Sequence, residues 1–306
     1  MENFLASQSF GITAMILVGI SWSVWGYAAS VASRRNLDMG VMLALGSAIG
    51  AAISLIIALL QGIPDFRVSG NWLVMLLVFS GGIVNYIQLK LIALAMRFGP
   101  NGIIWSIVQS GFICPLAVGI IFFGEALKIS FLVSVLLVMA SLVVFAVVAD
   151  NRTSGRWLGW TLSAFAATCI CQSFQYIPSN LSGADSVSSI WRTLAFFGGM
   201  FVGFVGNLLV SKPTRQIFCQ QLKNKYIWFY TLMLNVVEVV SCYCFLYPGM
   251  DALAKSRIGA ISTQLMTAAS IIAFELYTVL VLREKRSFWQ RVAFGLCLLA
   301  IVAICF

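Results

Sequence analysis

FGITAMILVGISWSVWGYAASVA, residues 10–32, is a run of 23 residues without a charged side chain. A bilayer core of about 30 Å needs about 20 apolar residues in a helix, so this run is long enough to cross it. The run is too long for a removable signal peptide, and it lacks the basic start and the small-residue cleavage site of one. We therefore expect it to remain in the protein as the first membrane helix.

Nine further apolar segments follow, separated by short polar gaps. With the first, the ten segments are 10–32, 40–61, 72–96, 100–123, 129–149, 157–177, 187–210, 227–250, 256–282 and 288–306. The composition agrees, because 61% of the residues are hydrophobic and 9% are charged, against about 25% charged in a soluble domain. The sequence therefore predicts an all-α polytopic membrane protein with ten transmembrane helices.

The net charge of +9 comes from basic residues in the loops between these segments. Numbered in chain order, the odd loops hold thirteen Lys and Arg residues, and the even loops hold five, counting Arg192 at the start of the seventh segment. Basic residues stay on the cytoplasmic side and meet anionic headgroups. This predicts a multi-pass protein of the plasma (cytoplasmic, inner) membrane with both termini on its outer face. Nucleic acid is not an expected partner.

The chain divides into two halves of five segments each. A polar loop at 150–156 separates a first repeat, 1–149, from a second, 157–306. Because five is odd, a duplicated unit enters the membrane upside down relative to its twin. An offset of 159 residues also places Glu125 on Glu284, each at the end of a long apolar segment. These features predict two inverted five-helix repeats.

Three short motifs carry a resemblance to a known family. They are ISWSVWGYAAS at 20–30, ALAMRFGPNG at 93–102 and FFGEALK at 122–128. With them the chain resembles the ten-helix drug/metabolite transporter superfamily (EamA-like). The resemblance implies two inverted five-helix repeats around a central cavity lined by helices 1, 3, 4, 6, 8 and 9. Many members are drawn with cytoplasmic termini, opposite to the orientation that the loop charges predict.

Two further stretches are similar to the bacterial sugar-uptake branches of that superfamily, the rhamnose and glucose/ribose types. They are WSIVQSGFICPLAVGIIFFGEALK at 105–128 and CICQSFQYIPSN at 169–180. This similarity implies a sugar-like substrate.

Two carboxyl groups lie inside apolar segments, at Glu238 and Glu275. A charged group at bilayer depth costs about 3 kcal/mol or more, so such groups face a cavity or a partner. One interpretation makes Glu238 or Glu275 a proton-coupling group. The alternative pairs one of them with Lys90, the lysine that lies deep in the third segment, as a static ion pair.

Amide and indole side chains recur inside the segments at helical spacing. Amides offer paired donors and acceptors, and indoles stack on sugar faces, aromatic rings or cations. Single amides also form ordinary hydrogen bonds between helices, worth about 0.6 kcal/mol each. The candidate substrate-binding residues are Trp22, Trp25, Asn85, Gln88, Trp105, Gln109, Gln172, Gln175, Asn235 and Gln264.

The sequence argues against several other functions. It contains no histidine, which removes His-based catalysis and imidazole metal ligands. Its eight cysteines are interpreted as small apolar fillers, and no nucleotide or cofactor fingerprint is present. We expect neither an enzyme nor a cofactor or metal site.

The favoured hypothesis is a secondary active transporter of a small polar organic metabolite, with a sugar-like compound as the first candidate substrate. Transport would occur by alternating access at a midplane site and would be coupled to protons. The first alternative is an exporter of amino acids or related metabolites. An intramembrane sensor or enzyme and a passive channel are more distant alternatives. The expected partners are the small-molecule substrate, the lipid bilayer and protons as the coupling ion, and a homodimer is left open.

Overall fold

The computed structural model describes residues 7–64, 68–125, 129–148, 156–181, 186–259, 261–285 and 287–304. Within these ranges the chain forms helices and connecting turns, and no strand. The all-α prediction is therefore confirmed. The predicted linker at 150–156 lies outside the described residues except for Arg156, which begins a helix.

Eleven helices run through the described residues. They are α1 (Gln8–Arg35), α2 (Met39–Gln61), α3 (Ser69–Met96), α4 (Asn101–Phe123), α5 (Ile129–Val148), α6 (Arg156–Ser179), α7 (Ser189–Val210), α8 (Lys212–Gln221), α9 (Lys225–Lys255), α10 (Ile261–Leu280) and α11 (Phe288–Ile304). Ten of them coincide with the predicted segments to within a few residues. The other, α8, is a short polar helix in the seventh predicted loop, where the sequence predicted no helix.

Seven of these helices are long and apolar enough to cross a membrane, namely α1, α2, α3, α4, α7, α9 and α10. Helix α6 is long enough but less apolar, since it carries polar residues such as Gln172 and Gln175. Helices α5 and α11 occupy the remaining two predicted segments. This architecture is compatible with a multi-pass membrane protein.

Two of the long helices change their hydrogen-bonding pattern near the middle. Helix α4 narrows to a 3₁₀ turn at Ser110–Phe112, just before Pro115. Helix α9 widens to a π-helical stretch at Ser241–Leu246, just before Pro248. A proline inside a helix removes one i→i−4 hydrogen bond, which accounts for both changes. Short π-helical stretches often occur at functional sites.

Helices α3 and α7 approach each other very closely. A methyl group built on Gly199 would lie 1.9 Å from the backbone oxygen of Phe79, and one on Gly82 would lie 2.0 Å from that of Phe196. Glycine is therefore required at both positions, and small residues of this kind also allow close approach of helices in membrane proteins. This crossing fixes α3, which also packs along α6, so that one face of α3 meets the centre of the molecule.

Arg192, which the charge count groups with the even loops, lies in the first turn of α7 and pairs inside the protein. Its side chain is fully buried at the start of α7, and its Nη1 donates to Asp251 Oδ1 of α9 at 2.8 Å. A buried guanidinium needs such a partner because desolvation of an isolated charge is costly. The pair connects α7 to α9 near the end of both helices.

Candidate functional site

A small hollow lies among α1, α3, α4, α6, α7 and α9. The volume of this cavity is about 20 Å³. It has room for about one or two water molecules. Eight of the twelve predicted site residues line it. These are Trp22, Trp25, Asn85, Gln88, Trp105, Gln109, Gln172 and Glu238.

Glu238 is the carboxyl group of this hollow and is only 2% exposed. The indole Nε1 of Trp25 donates to its Oε2 at 2.5 Å, and the thiol of Cys242 lies 3.7 Å from its Oε1. Glu238 lies three residues before the π-helical stretch of α9, and Trp25 lies on α1. The carboxyl group thus has one strong donor, and that donor comes from another helix.

The α4 side of the hollow is held by Ser270 of α10. Its hydroxyl oxygen lies 3.1 Å from Trp105 Nε1 and 3.2 Å from Gln109 Nε2, and it accepts a hydrogen bond from each. The ring of Trp105 also packs at a tilt on Phe274, with centroids 5.2 Å apart. These contacts fix the indole and the amide nitrogen, and they leave Gln109 Oε1 for another partner.

Several amide atoms around the hollow have no hydrogen-bond partner among the described residues. They are Gln88 Oε1, Gln109 Oε1 and both Oε1 and Nε2 of Gln172. All three side chains are at least nine-tenths buried. Asn85 differs, since its Nδ2 donates weakly to Met200 Sδ at 3.5 Å and its Oδ1 accepts from Cys171 at 3.9 Å. The glutamines therefore present donors and acceptors that the protein does not use.

The other four predicted site residues are buried but do not line the hollow. Asn235 Nδ2 donates to the backbone oxygen of Gly46, so this amide joins α9 to α2. Glu275 Oε2 accepts from Thr278 one turn along α10, at 3.2 Å. Gln175 lies on α6 and Gln264 on α10, and Gln264 has no partner for either amide atom among the described residues.

Lys90 does not pair with either buried glutamate. Its Nζ lies 5.5 Å from the ring centre of Tyr86, and its side chain faces a different pocket. The static ion pair considered from the sequence is therefore not formed.

Three residues that the sequence analysis did not select also line the hollow, namely Leu89, Cys171 and Phe196. Cys171 was interpreted as a filler, yet its thiol donates to the backbone oxygen of Gly81 at 3.5 Å. Cys171 directly precedes Gln172, a predicted site residue, and this was the one sequence feature that could have indicated its place at the hollow. No sequence feature indicated Phe196, because α7 contains several phenylalanines and this one cannot be distinguished from a core residue. In the described ranges no three Cys, Asp or Glu side chains converge as metal ligands would.

Carboxylates also lie at both ends of α4. At its first turn, Glu284 Oε1 accepts from the backbone N and Nδ2 of Asn101 at 3.1 and 3.0 Å. Beyond its last turn, Glu125 Oε1 accepts from the hydroxyl of Tyr176 at 2.6 Å. A methyl group built on Gly259, just before α10, would lie 3.1 Å from that same Oε1. Glu284 thus contacts the start of α4, and Glu125, at the other end of α4, contacts α6 and lies beside the start of α10.

Comparison with known proteins shows a shared fold. No family model and no curated protein matches this chain. Among solved structures, one described as "Crystal structure of protein" superposes with a TM-score of 0.59, covering 95% of this chain and 96% of the other at 15% identity. At that identity the similarity concerns the fold alone.

Proposed function

We propose that this chain is a secondary active transporter of a small polar organic metabolite in the plasma membrane, and that a sugar-like compound is the first candidate substrate. It would be a ten-span protein of two inverted five-helix repeats, of the drug/metabolite transporter type that its motifs resemble. The observation that carries the proposal is the set of buried amide atoms of Gln88, Gln109 and Gln172 that have no described protein partner and share one hollow.

The amides favour a polar ligand over a purely structural role. A buried donor or acceptor without a partner costs about 1–3 kcal/mol, so a core built only for packing avoids several at one place. Hydroxyl groups of a sugar both donate and accept, and match amide oxygens and nitrogens together. The indoles of Trp22, Trp25 and Trp105 supply flat apolar faces beside them.

The charge of the hollow favours a neutral or zwitterionic substrate. Its lining residues include one carboxyl group, Glu238, and no lysine or arginine. A strong anion would meet no cation there and would be repelled by the ionised carboxylate. Since the hollow admits only about one or two water molecules, a metabolite enters when the surrounding helices separate.

Proton coupling is assigned to Glu238. Its charge-assisted hydrogen bond with Trp25 joins α1 to α9, and bonds to an ionised group are about twice as strong as neutral ones. Protonation weakens this link between the helices, so proton binding and helix separation affect each other. Glu275 lies off the hollow and is the less favoured coupling group.

The glutamates at the ends of α4 support the inverted repeat. Glu125 and Glu284 occupy matching positions in the two proposed halves. Glu284 binds the start of α4, while Glu125 lies beside Gly259 at the start of α10. In the proposed transporter, breaking one contact opens one face while the other contact keeps the opposite face closed.

The first alternative is export of amino acids or related metabolites. A zwitterion also satisfies the amides and the carboxyl group, so the hollow admits it. Growth on toxic sugar and amino-acid analogues separates the two, because an importer sensitises cells to the analogue and an exporter protects them.

The proposal is tested by uptake into proteoliposomes, with radiolabelled rhamnose, ribose and glucose as the first probes. An inward proton gradient should drive accumulation by the wild type. Glu238→Gln should reduce accumulation to the level seen without a gradient, because the amide cannot carry the proton. Glu275→Gln is the matched control and should keep gradient-driven uptake. Equal accumulation by wild type and Glu238→Gln would remove Glu238 from the coupling role.

A further inference from the structure

The hydroxyl group of Tyr247 in α9 lies in the interior of the protein. Its side chain is 0% exposed, and its oxygen has no hydrogen-bond partner among the described residues. A buried hydroxyl in this state costs about 1–3 kcal/mol, and buried tyrosine hydroxyls usually have a partner. Phenylalanine would fill the same space without this cost. The hydroxyl therefore indicates a role other than packing.

The π-helical stretch of α9 turns Tyr247 toward the side of Glu238. Tyr247 follows Glu238 by nine residues, and in a regular α-helix nine residues make about two and a half turns. The two side chains would then point to opposite sides. The stretch Ser241–Leu246 lies between them, and its i→i+5 pattern puts more residues into each turn. As a result, Tyr247 lies close enough to Glu238 to interact with it electrostatically.

Polar side chains of α6 continue from the hollow in the same direction. Cys171 lines the hollow, and Gln175 and Ser179 follow it at intervals of four residues. Residues four apart lie on one face of a helix. Gln175 is 1% exposed, and its Oε1 has no partner among the described residues. This face of α6 therefore presents a second buried polar atom that the protein does not use.

The ion pair of Arg192 and Asp251 lies at the far end of this polar line. Arg192 Nη1 donates to Ser179 Oγ at 3.4 Å as well as to Asp251. The guanidinium carbon of Arg192 lies 5.9 Å from the ring centre of Tyr247. The side chain of Asp251 is 19% exposed, so the line reaches the protein surface here. Because the two charges offset each other, the pair does not repel a proton as an isolated arginine would.

We propose that Tyr247 relays protons between Glu238 and the face where α6 ends and α7 begins. The inference rests on the proposed function, in which Glu238 carries the coupling proton. A tyrosine hydroxyl can donate and accept at once. Its oxygen takes a proton from a water molecule on the side of Gln175 while its own proton passes toward Glu238, and the hydroxyl remains neutral. Gln175 Oε1 accepts a hydrogen bond from that water molecule and orients it.

Glu238 is the group in this set that takes up the proton. The titratable and charged groups that face Tyr247 are Glu238 and Cys242 of α9, Cys171 of α6 and Arg192 of α7. Arginine stays protonated in proteins, and thiols hold their protons near neutral pH. The carboxylate of Glu238 is thus the acceptor at the inner end of the relay.

The test follows protonation of Glu238 by infrared spectroscopy after a rapid drop in pH, with the full chain in nanodiscs. The carbonyl band of the protonated carboxyl group is identified by its absence from Glu238→Gln. Tyr247→Phe should slow the appearance of this band by about 100-fold, the lower end of what a positioned proton-transfer group contributes. The final amplitude and the Tm should stay unchanged, because the variant removes one oxygen and no described hydrogen bond.

Two further variants sharpen this measurement. Gln175→Leu should also slow the band, but less than Tyr247→Phe. Tyr86→Phe is the matched control, since Tyr86 is 2% exposed and its hydroxyl accepts from Asn207 on the other side of α3 from the relay. It should keep the rate of the wild type.

Transport is measured separately, so that the relay and the proposed function can fail independently. In proteoliposomes, Tyr247→Phe should lose uptake of the labelled sugars driven by a proton gradient and keep exchange of labelled for unlabelled sugar without a gradient. If the wild type takes up no sugar but Tyr247→Phe still slows the band, the relay stands and sugar transport does not. The relay is overturned if Glu238 takes up no proton in the wild type, if Tyr247→Phe protonates at the rate of the wild type, or if Tyr86→Phe slows the band equally.

Discussion

Trp25 and Glu238 are 213 positions apart in the chain and share a hydrogen bond of 2.5 Å in the interior. The bond joins α1 to α9, which belong to different proposed halves. The indole can only donate and the ionised carboxylate can only accept, so the pair is chemically matched. It makes one titratable group sensitive to the relative position of two helices.

Replacing Trp25 by phenylalanine tests this bond. Trp25→Phe keeps an aromatic ring but removes the donor, and a hydrogen bond to a charged group contributes about 1.5–3 kcal/mol. We expect a clear fall in the Tm of the purified protein and weaker gradient-driven uptake.

Trp22→Phe serves as its control. Trp22 lines the same hollow, but its indole has no hydrogen-bond partner among the described residues. Its Tm should change little. If Trp25→Phe and Trp22→Phe have the same Tm, the hydrogen bond from Trp25 to Glu238 does not contribute measurably to stability.

The crossing of α3 and α7 predicts a sharp difference between two glycines on one helix. Gly199→Ala forces a methyl group toward the Phe79 carbonyl, and overpacking of this kind costs about 1–3 kcal/mol. A methyl group on Gly206 would meet nothing within 4 Å. Thermal melting should therefore show a large loss for Gly199→Ala and almost none for Gly206→Ala, and similar losses would argue against the close crossing.

The contacts of Glu125 and Glu284 predict opposite changes in access to the hollow. Cys171 lines the hollow and is 2% exposed, so it can report access when it is the sole cysteine. Glu284→Ala should speed its labelling by an impermeant maleimide from the face where α4 begins. Glu125→Ala should speed labelling from the other face.

The labelling is followed in vesicles of known orientation, with each variant exposed to reagent from one side at a time. Faster labelling from the same face in both variants would contradict two opposed contacts. Unchanged labelling in both would show that these carboxylates do not hold the faces closed.

Much of the fold followed from hydropathy. All ten predicted segments coincide with helices, because a long apolar run has few other ways to satisfy its backbone. Helix α8 was missed because it is short and polar. The sequence places Arg192 at the start of the seventh segment, but it does not reveal that Asp251, far along the chain, pairs with it.

The lining of the hollow was predictable by residue type and only partly by position. Helical spacing tells which residues share a face, and it correctly grouped Trp22 with Trp25. It does not tell what that face meets. Asn235 lies one turn before Glu238, yet it bonds to Gly46 of α2. Gln264 and Gln172 look alike in sequence, but only Gln172 lies at the hollow.

That difference provides the most direct test of the account. Gln172 and Gln264 are equally buried, and each has two amide atoms without a described partner. A thermal-shift screen of sugars, amino acids and nucleosides should find one class that raises the Tm of the wild type and of Gln264→Leu, but not of Gln172→Leu. A ligand that stabilises all three proteins equally, or two variants that lose the shift together, would contradict a substrate site at this hollow.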